Sequence, residues 1–213
     1  ICQQRVPFGN DILFSNDTLT FSVEICEDFW TPLPPSSYQA LAGSQLLFNL
    51  SASNELIGKH NYRKQLITQQ SARCIAGYVY VSSGFGESST DLLFSGNAIV
   101  CENGTILAEN ERFSLKEQLV INDIDIERLS IDRQKNSAFM QGLSTQKGDY
   151  NFRTVAFEMP LYKRFVLSRD VFPFPFIPTG LELNERCHEI FNIQVNALAT
   201  RLHHTGIDKV VVG

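Results

Sequence analysis

The alternation of short apolar runs with helical patterns between residues 19 and 81 constrains the fold more than any other feature of the sequence. Three apolar runs fit strands that are buried in a sheet. Two stretches between them fit helices. In chain order the five elements cover residues 19–26, 36–44, 45–51, 60–76 and 78–81. Strand, helix, strand, helix, strand is the order of an α/β fold with a parallel sheet.

Local signals predict where these helices begin and end. Serine is a favoured cap, so we expect Ser36 or Ser37 to cap the first helix. Glycine is favoured just beyond the end of a helix, so we expect Gly77 to end the second one.

The next elements depend on one turn signal. The Asn-Gly pair at 103–104 predicts a hairpin between strands at 94–101 and 106–108. A further strand is expected at 119–126, followed by a polar helical stretch at 127–141.

A second segment is predicted after the proline-rich stretch 172–178, which fits an extended linker. Apolar residues at helical spacing predict a helix over 183–202, and the β-branched run 207–212 predicts a buried parallel strand that ends at Gly213. A helix, a strand and a glycine in this order are typical of the start of a nucleotide-binding α/β domain. The predicted division of the chain is 1–142, 143–180 and 181–213.

The composition excludes several classes of protein. With 43% hydrophobic residues, the chain of 213 residues is too apolar for intrinsic disorder. Its formal charge of −5 offers no cationic face for nucleic acid or for an anionic membrane. No apolar run approaches the roughly 18 residues that a membrane-spanning helix needs. We therefore expect a folded protein that has neither nucleic acid nor a membrane as its partner.

The cysteines and histidines favour no disulfide framework and no metal site. The five cysteines include no C-x-x-C pair, and no two of the four histidines are spaced i, i+4. A reducing cytoplasm is the expected compartment. The cysteines are Cys2, Cys26, Cys74, Cys101 and Cys187.

Cys26 is the candidate nucleophile, because it follows a predicted buried strand and enters a proline-rich loop. Such a position can expose a thiol, hold it rigidly and supply backbone N–H groups for an oxyanion. The competing interpretation is a buried structural cysteine, which is the commoner role of this residue. The neighbouring Glu24, Glu27 and Asp28 would raise the pKa of a thiol, so an activating cation must come from elsewhere.

The loop at 84–91 carries two glycines, Gly84 and Gly86, but lacks the third glycine of a dinucleotide-binding fingerprint. A substrate-side or structural loop is the favoured interpretation. Glu87 and Asp91 are expected near the mouth of the site, and no role is assigned to them.

Several blocks in order carry a resemblance to a known family. The blocks are EICEDFW at 24–30, NLSAS at 49–53, YVY at 78–80, GESSTDL at 86–92 and CENG at 101–104. Together they resemble the glutaminase part of the glutamine-dependent NAD⁺ synthetases, within the nitrilase (carbon–nitrogen hydrolase) superfamily. Residues 190–195 resemble the helix that opens the synthetase domain of that family.

The resemblance implies that residues 1–142 are the C-terminal part of a four-layer α-β-β-α sandwich. It also implies a connecting segment over 143–180 and the start of an ATP-dependent synthetase domain over 181–213. It implies a Glu–Lys–Cys triad with Cys26 as the nucleophile and the Glu27 backbone N–H in the oxyanion hole. It also implies that Glu27, Ser53 and Lys59 bind glutamine. From the sequence alone, the alternatives are a helix cap for Ser53 and a solvated charge at the start of a helix for Lys59. The family often has arginine where this chain has Lys59, which changes a bidentate carboxylate clamp to a point charge.

The resemblance further implies that glutamine, ATP with Mg²⁺ and nicotinic acid adenine dinucleotide are the substrates of a homo-oligomer. The family's catalytic glutamate and lysine lie well upstream of the cysteine, and its pyrophosphate loop follows the position of Gly213. We therefore expect the 213-residue chain alone to be inactive as a glutaminase and to bind no cofactor. A stand-alone amidase that uses Cys26 and a non-catalytic scaffold remain as alternatives.

Overall fold

A computed structural model describes residues 5–145, 151–160, 162, 166–174, 177, 180 and 183–211. The chain divides into two compact units, Ile1–Arg169 and Asp170–Gly213. The predicted limits at residues 142 and 180 stay predictions.

The first unit is built on one sheet of seven strands, β1 Ile12–Ser15, β2 Thr20–Ile25, β3 Leu46–Ser51, β4 Gly77–Ser82, β5 Ala98–Glu102, β6 Thr105–Glu109 and β7 Arg153–Ala156. In the sheet they lie in the order β6-β5-β4-β3-β2-β1-β7. The strands β2, β3 and β4 run parallel at its centre. The antiparallel pairs are β1 with β2, β5 with β4, and β6 with β5. The seventh strand pairs parallel with β1.

Helices α1 (Pro35–Leu41) and α2 (Lys59–Cys74) pack on one face of this sheet. The core between them includes Leu47, Ile67 and Tyr78, all fully buried. Because side chains alternate between the two faces of a strand, Leu50 and Val81 lie on the other face, where they are 50% and 43% exposed. The mixed α/β class is confirmed, and the described residues supply one helical layer and one sheet layer of the four expected.

The predicted capping residues are wrong for both helices. The first helix begins at Pro35 with Pro34 before it, because a proline ring presets the backbone angle that the first helical turn needs. The second helix ends at Cys74, and Ile75 rather than a glycine takes the left-handed conformation, with a φ of +45°. Gly77 instead opens β4, where a Cβ would lie 2.8 Å from Cδ1 of Leu46.

The hairpin at Asn103–Gly104 is confirmed, but the strand predicted at 119–126 is wrong. Residues 117–125 are irregular, and side chains hold them in place of a strand ladder: the Asn122 amide donates to the Leu107 carbonyl (3.2 Å). The predicted helical stretch is two helices, α3 (Ile126–Lys135) and α4 (Ser137–Thr145). They are separated at Asn136, whose side chain accepts from the Phe139 N–H at 2.9 Å.

The second unit contains helix α5, Leu183–Thr205, which has no buried residue. The helix continues three residues beyond the predicted end at residue 202, and Gly206, with a φ of +68°, terminates it. The strand predicted at 207–212 is wrong for residues 207–211, which are irregular, because a strand needs a neighbour to pair with and no described strand of this unit offers one. Val212, Gly213 and residues 175, 176 and 178 of the predicted linker lie outside the described residues.

Candidate active site

Three parallel strands end side by side at one edge of the sheet. Ile25 of β2 is in register with Leu50 of β3, and Leu50 is in register with Val81 of β4. The segments that follow these strands therefore leave from the same edge. In parallel sheets this edge is where ligands bind. It brings together the segments that carry all the predicted site residues, namely Cys26, Glu27, Ser53 and Lys59.

Cys26 opens a 3₁₀ helix, Cys26–Trp30, directly at the end of β2. Its φ is +46°, in the left-handed region that residues with a side chain rarely adopt. The thiol is free and the residue is half-buried. A strained turn at the end of a central strand is a recurrent arrangement at active sites. The turn expected from the sequence is present, and the nucleophilic role of Cys26 stays a prediction.

Phe29 anchors the turn, because its side chain is buried in the core. The Phe29 ring lies 5.8 Å from the ring of Tyr78 and 6.1 Å from that of Tyr80. Within the turn, the Ile25 N–H donates to Oδ2 of Asp28 at 2.9 Å. Glu27 is exposed and follows the strained residue, in the first turn, where N–H groups have no partner within the helix.

Glu24 is a buried carboxylate two residues before Cys26. It accepts hydrogen bonds from the Ser36 N–H at 2.9 Å and from the Tyr78 hydroxyl. Burial raises the pKa of Glu24, and the hydrogen bonds from Tyr78 and Ser36 oppose that rise. Burial also raises the pKa of Tyr78, and the negative charge of Glu24 adds to this effect. Sequence reasoning counted Glu24 merely as an unfavourable neighbour of the thiol and missed these contacts.

The other cysteines among the first unit's described residues, Cys74 and Cys101, are buried, whereas Cys26 is half-buried. Burial raises the pKa of Cys74 to about 12 and that of Cys101 to about 12. Both thiols therefore stay protonated at neutral pH and are structural, since the thiolate is the nucleophile.

Lys59 is not a solvated charge at the start of a helix. Its ammonium donates to the backbone carbonyl of Asn54 at 2.8 Å and to the Asn54 side chain at 3.1 Å. It also lies 5.2 Å from the centroid of the Trp30 ring, a cation–π distance. Lys59 thus connects the loop that contains the buried Ser53 to the turn that contains Cys26. Binding of glutamine by Glu27, Ser53 and Lys59 stays a prediction.

Glu55 joins the two loops that follow β3 and β4. Its carboxylate pairs with Arg63, accepts from the Ser95 hydroxyl at 2.6 Å and lies 3.7 Å from the Arg112 guanidinium. Its backbone N–H donates to the Leu93 carbonyl at 2.8 Å. Burial alone would raise the pKa of Glu55, but the hydrogen bonds from Ser95 and Arg63 and the two positive charges outweigh it and lower the pKa.

The role of Glu55 has a signal in the sequence, which is the neighbouring Arg63. Arg63 lies on the same helical face as Ile67 and Gln70, all three buried. A fully buried arginine is usually paired, most often with a carboxylate, and Glu55 is near in sequence.

A cavity of about 390 Å³ lies beside this carboxylate, with Glu55, His60, Arg112 and Phe113 among its lining residues. Burial and the nearby Arg112 lower the pKa of His60. Cys26 does not line this cavity.

Gly84 allows the two ends of the loop after β4 to come together. A Cβ on Gly84 would lie 3.3 Å from the Cα of Gly96, so the two ends of the loop approach closely at this point. Glu87 and Asp91 are exposed in the same loop. Across the residues that the structure describes, no group of three His, Cys, Asp or Glu side chains could hold a metal ion. No helix in that part of the chain is long and apolar enough to cross a membrane.

Comparison with known proteins gives consistent similarities, although no protein-family model matches the chain. The glutamine-dependent NAD(+) synthetase of Mycobacterium leprae is 40% identical over 215 residues, which are 98% of this chain and 32% of that protein. The enzyme of the same name from Saccharomyces cerevisiae is 31% identical over 169 residues, 78% of this chain and 23% of that protein. The chain thus spans about a third of the length of the first of these relatives.

Among solved structures, a glutamine-dependent NAD(+) synthetase from Cytophaga hutchinsonii matches with a TM-score of 0.43 and 27% identity. This match covers 50% of the present chain and 16% of the other.

Proposed function

We propose, from the premise that 98% of the chain is similar to part of the glutamine-dependent NAD(+) synthetases, that the chain carries the nucleophile of a glutaminase. The strained turn at Cys26, at the edge where β2, β3 and β4 end, is the observation that carries the proposal. The relatives supply the choice of glutamine as the substrate.

In the proposed reaction, the Cys26 thiolate attacks the side-chain amide carbon of glutamine. The carbonyl oxygen becomes an oxyanion, to which the Glu27 backbone N–H donates. The tetrahedral intermediate collapses, the C–N bond breaks and protonated nitrogen leaves as ammonia, which gives a thioester on Cys26. Water then hydrolyses the thioester to glutamate and restores the thiol. Glu27, Ser53 and Lys59 would hold the amino and carboxylate groups of the substrate.

The proposal assigns proton transfer and stabilisation of the thiolate to a glutamate and a lysine outside these 213 residues. The chain alone would then hydrolyse no glutamine at a useful rate. In the complete protein, a synthetase part would use ATP and Mg²⁺ to adenylate nicotinic acid adenine dinucleotide, and the ammonia would convert it to NAD⁺. We place this reaction in the cytoplasm, which suits the free thiols, and in a homo-oligomer, as the family resemblance implies.

The test replaces Cys26 by alanine in the full-length protein. We expect Cys26→Ala to lower glutamine-dependent NAD⁺ formation by a factor on the order of a thousand or more, with ammonia-dependent formation unchanged. Cys187→Ala is the matched control, because Cys187 is exposed on α5 in the other unit. Unchanged glutamine-dependent activity in Cys26→Ala would favour a scaffold. A wild-type protein that releases ammonia but makes no NAD⁺ would favour a stand-alone amidase.

A further inference from the structure

We infer that Glu24 is a positioning residue for Cys26: its carboxylate fastens both ends of the segment that carries the nucleophile. This inference rests on the proposed function, since it assigns a role in the same reaction. It adds a residue that lies before the nucleophile and contacts no substrate.

The contacts of Glu24 join three elements of the first unit. Glu24 itself is on β2, one carboxylate oxygen accepts from the Ser36 N–H in the first turn of α1, and the other accepts from the Tyr78 hydroxyl on β4. The residue is 2% exposed, so water does not compete for these bonds. Hydrogen bonds to a buried charged group are among the stronger ones in proteins.

The position of these contacts along the chain gives them a specific consequence. Residues 24 and 36 bracket the 3₁₀ helix Cys26–Trp30 and the prolines after it. The hydrogen bond between Glu24 and Ser36 therefore joins the residues that flank the two ends of the segment. A left-handed cysteine is costly and persists only if the surrounding structure enforces it. Glu24 supplies that constraint from the strand side, and the buried Phe29 supplies it from within the turn.

A second network beneath the same segment supports the anchor on α1. The Gln70 side-chain amide donates to the hydroxyls of Ser36 and Ser37, each at 2.9 Å. Helix α2 thus fixes the residue that donates to Glu24. The base of the nucleophile segment is set by β2, β4, α1 and α2 together, all of them regular elements with little freedom to shift.

Glu102 provides a matched control within the same sheet. It is likewise a buried strand carboxylate that accepts from a backbone N–H where a helix starts, that of Asp125 at 2.6 Å, and it pairs with Arg169. Glu102 is in register with Gly77, the first residue of β4, so it lies at the opposite edge of the sheet from Cys26. A variant there removes similar chemistry without touching the nucleophile segment.

The experiment compares Glu24→Gln and Glu102→Gln in the full-length protein. Glutamine keeps the shape of the side chain, but it has no charge and offers one acceptor oxygen where glutamate offers two, so the hydrogen bonds at position 24 are weakened. We expect the kcat of glutamine hydrolysis in Glu24→Gln to fall about tenfold to a hundredfold, as small misplacements of reacting groups do, with an unchanged KM for glutamine. Alkylation of Cys26 by iodoacetamide should slow in parallel. Ammonia-dependent NAD⁺ formation should not change, and Glu102→Gln should keep the wild-type kcat.

The outcomes separate positioning from general stability. Both variants are expected to unfold at a lower temperature than the wild type. A loss of kcat that occurs in Glu24→Gln but not in Glu102→Gln therefore supports the inference. Equal losses of kcat in both variants, or a wild-type kcat in Glu24→Gln, would overturn it. If Glu24→Gln does not fold, Tyr78→Phe removes one of the two bonds and should lower kcat by a smaller factor at constant KM. A wild-type kcat there would also overturn the inference. Glutamine-dependent activity in Cys26→Ala would instead refute the proposed function itself.

Discussion

At the scale of single residues, the pair of Arg63 and Glu55 shows how a buried charge fixes the loops beside the candidate site. The Arg63 side chain is fully buried, and Glu55 is its carboxylate partner. Removing one member of such a pair leaves an uncompensated charge in the interior, which costs far more than the intact pair contributes.

Glu55→Gln should therefore lower the stability of the protein at neutral pH, by about 3 kcal/mol, as the loss of one partner of a buried pair does. The pKa of Glu55 is lowered from its ordinary value of 4.5, so its contribution is fully present above pH 4.5 and is lost as the pH falls through the folded pKa. The difference between wild type and Glu55→Gln should shrink below pH 4.5.

Urea-induced unfolding at several pH values measures this difference. Glu111→Gln is the control, because Glu111 is exposed and should change stability by less than about 0.5 kcal/mol. A difference between wild type and Glu55→Gln that grows towards acid pH would contradict the assignment.

At the scale of elements, Arg133 of α3 connects the ends of two helices. Its guanidinium donates to the carbonyls of Ser44 at 2.6 Å, Cys74 at 2.9 Å and Ile75 at 3.0 Å, beyond α1 and at the end of α2. Carbonyls at the end of a helix have no partner within it, and they favour a positive charge. Burial lowers the pKa of Arg133 to about 10, so it remains charged at neutral pH.

Arg133→Met should destabilise the protein by about 2–4 kcal/mol, because several buried carbonyls lose their donor at once. Arg128→Met on the same helix removes an exposed ion pair with Asp132 and should cost less than about 1 kcal/mol. Urea unfolding of both variants tests the comparison. Equal losses of stability in the two variants would show that the hydrogen bonds of Arg133 stabilise the protein no more than an exposed ion pair does.

The elements also show which parts of the fold could be predicted from sequence. The central strands and their helices have local patterns, and Asn103–Gly104 has its own turn signal, so these predictions are confirmed. The strand β7 pairs with β1 across the chain, Leu13 with Thr154, so no local pattern reveals β7. The strand β1 pairs with the nearby β2, Ser15 with Thr20, but its four residues are too few for a clear pattern. The run at 119–126 has the composition of a strand, but tertiary contacts decide otherwise.

The candidate site was predictable to a similar extent. The position of Cys26 followed from the end of a strand, whereas its left-handed backbone and the contacts of Glu24 depend on residues distant in sequence, such as Tyr78. The partners of Lys59 were equally hidden, because they belong to a loop and to an aromatic ring.

At the scale of the whole molecule, the sheet has two unequal faces. Helices cover one of them, whereas Leu50 and Val81 on the other are 50% and 43% exposed. They lie in one row across β3 and β4, in register with each other. Adjacent exposed apolar side chains favour association.

Leu50→Thr together with Val81→Thr should therefore reduce self-association of the 213-residue chain and its binding of a hydrophobic dye. Size-exclusion chromatography and dye fluorescence measure the two effects. Leu115→Thr with Leu119→Thr is the control, since these exposed leucines lie outside any strand. Equal reductions in both double variants would mean that total apolar exposure, not this row, drives the association.

Under the proposed function, the left-handed backbone of Cys26 opposes the stability of the fold to the chemistry of the thiol at one position. Glycine adopts a φ of +46° without the penalty that cysteine incurs. Selection for the stability of the fold alone would therefore favour glycine at position 26. Selection for turnover would keep cysteine there, and the protein would carry that local cost permanently.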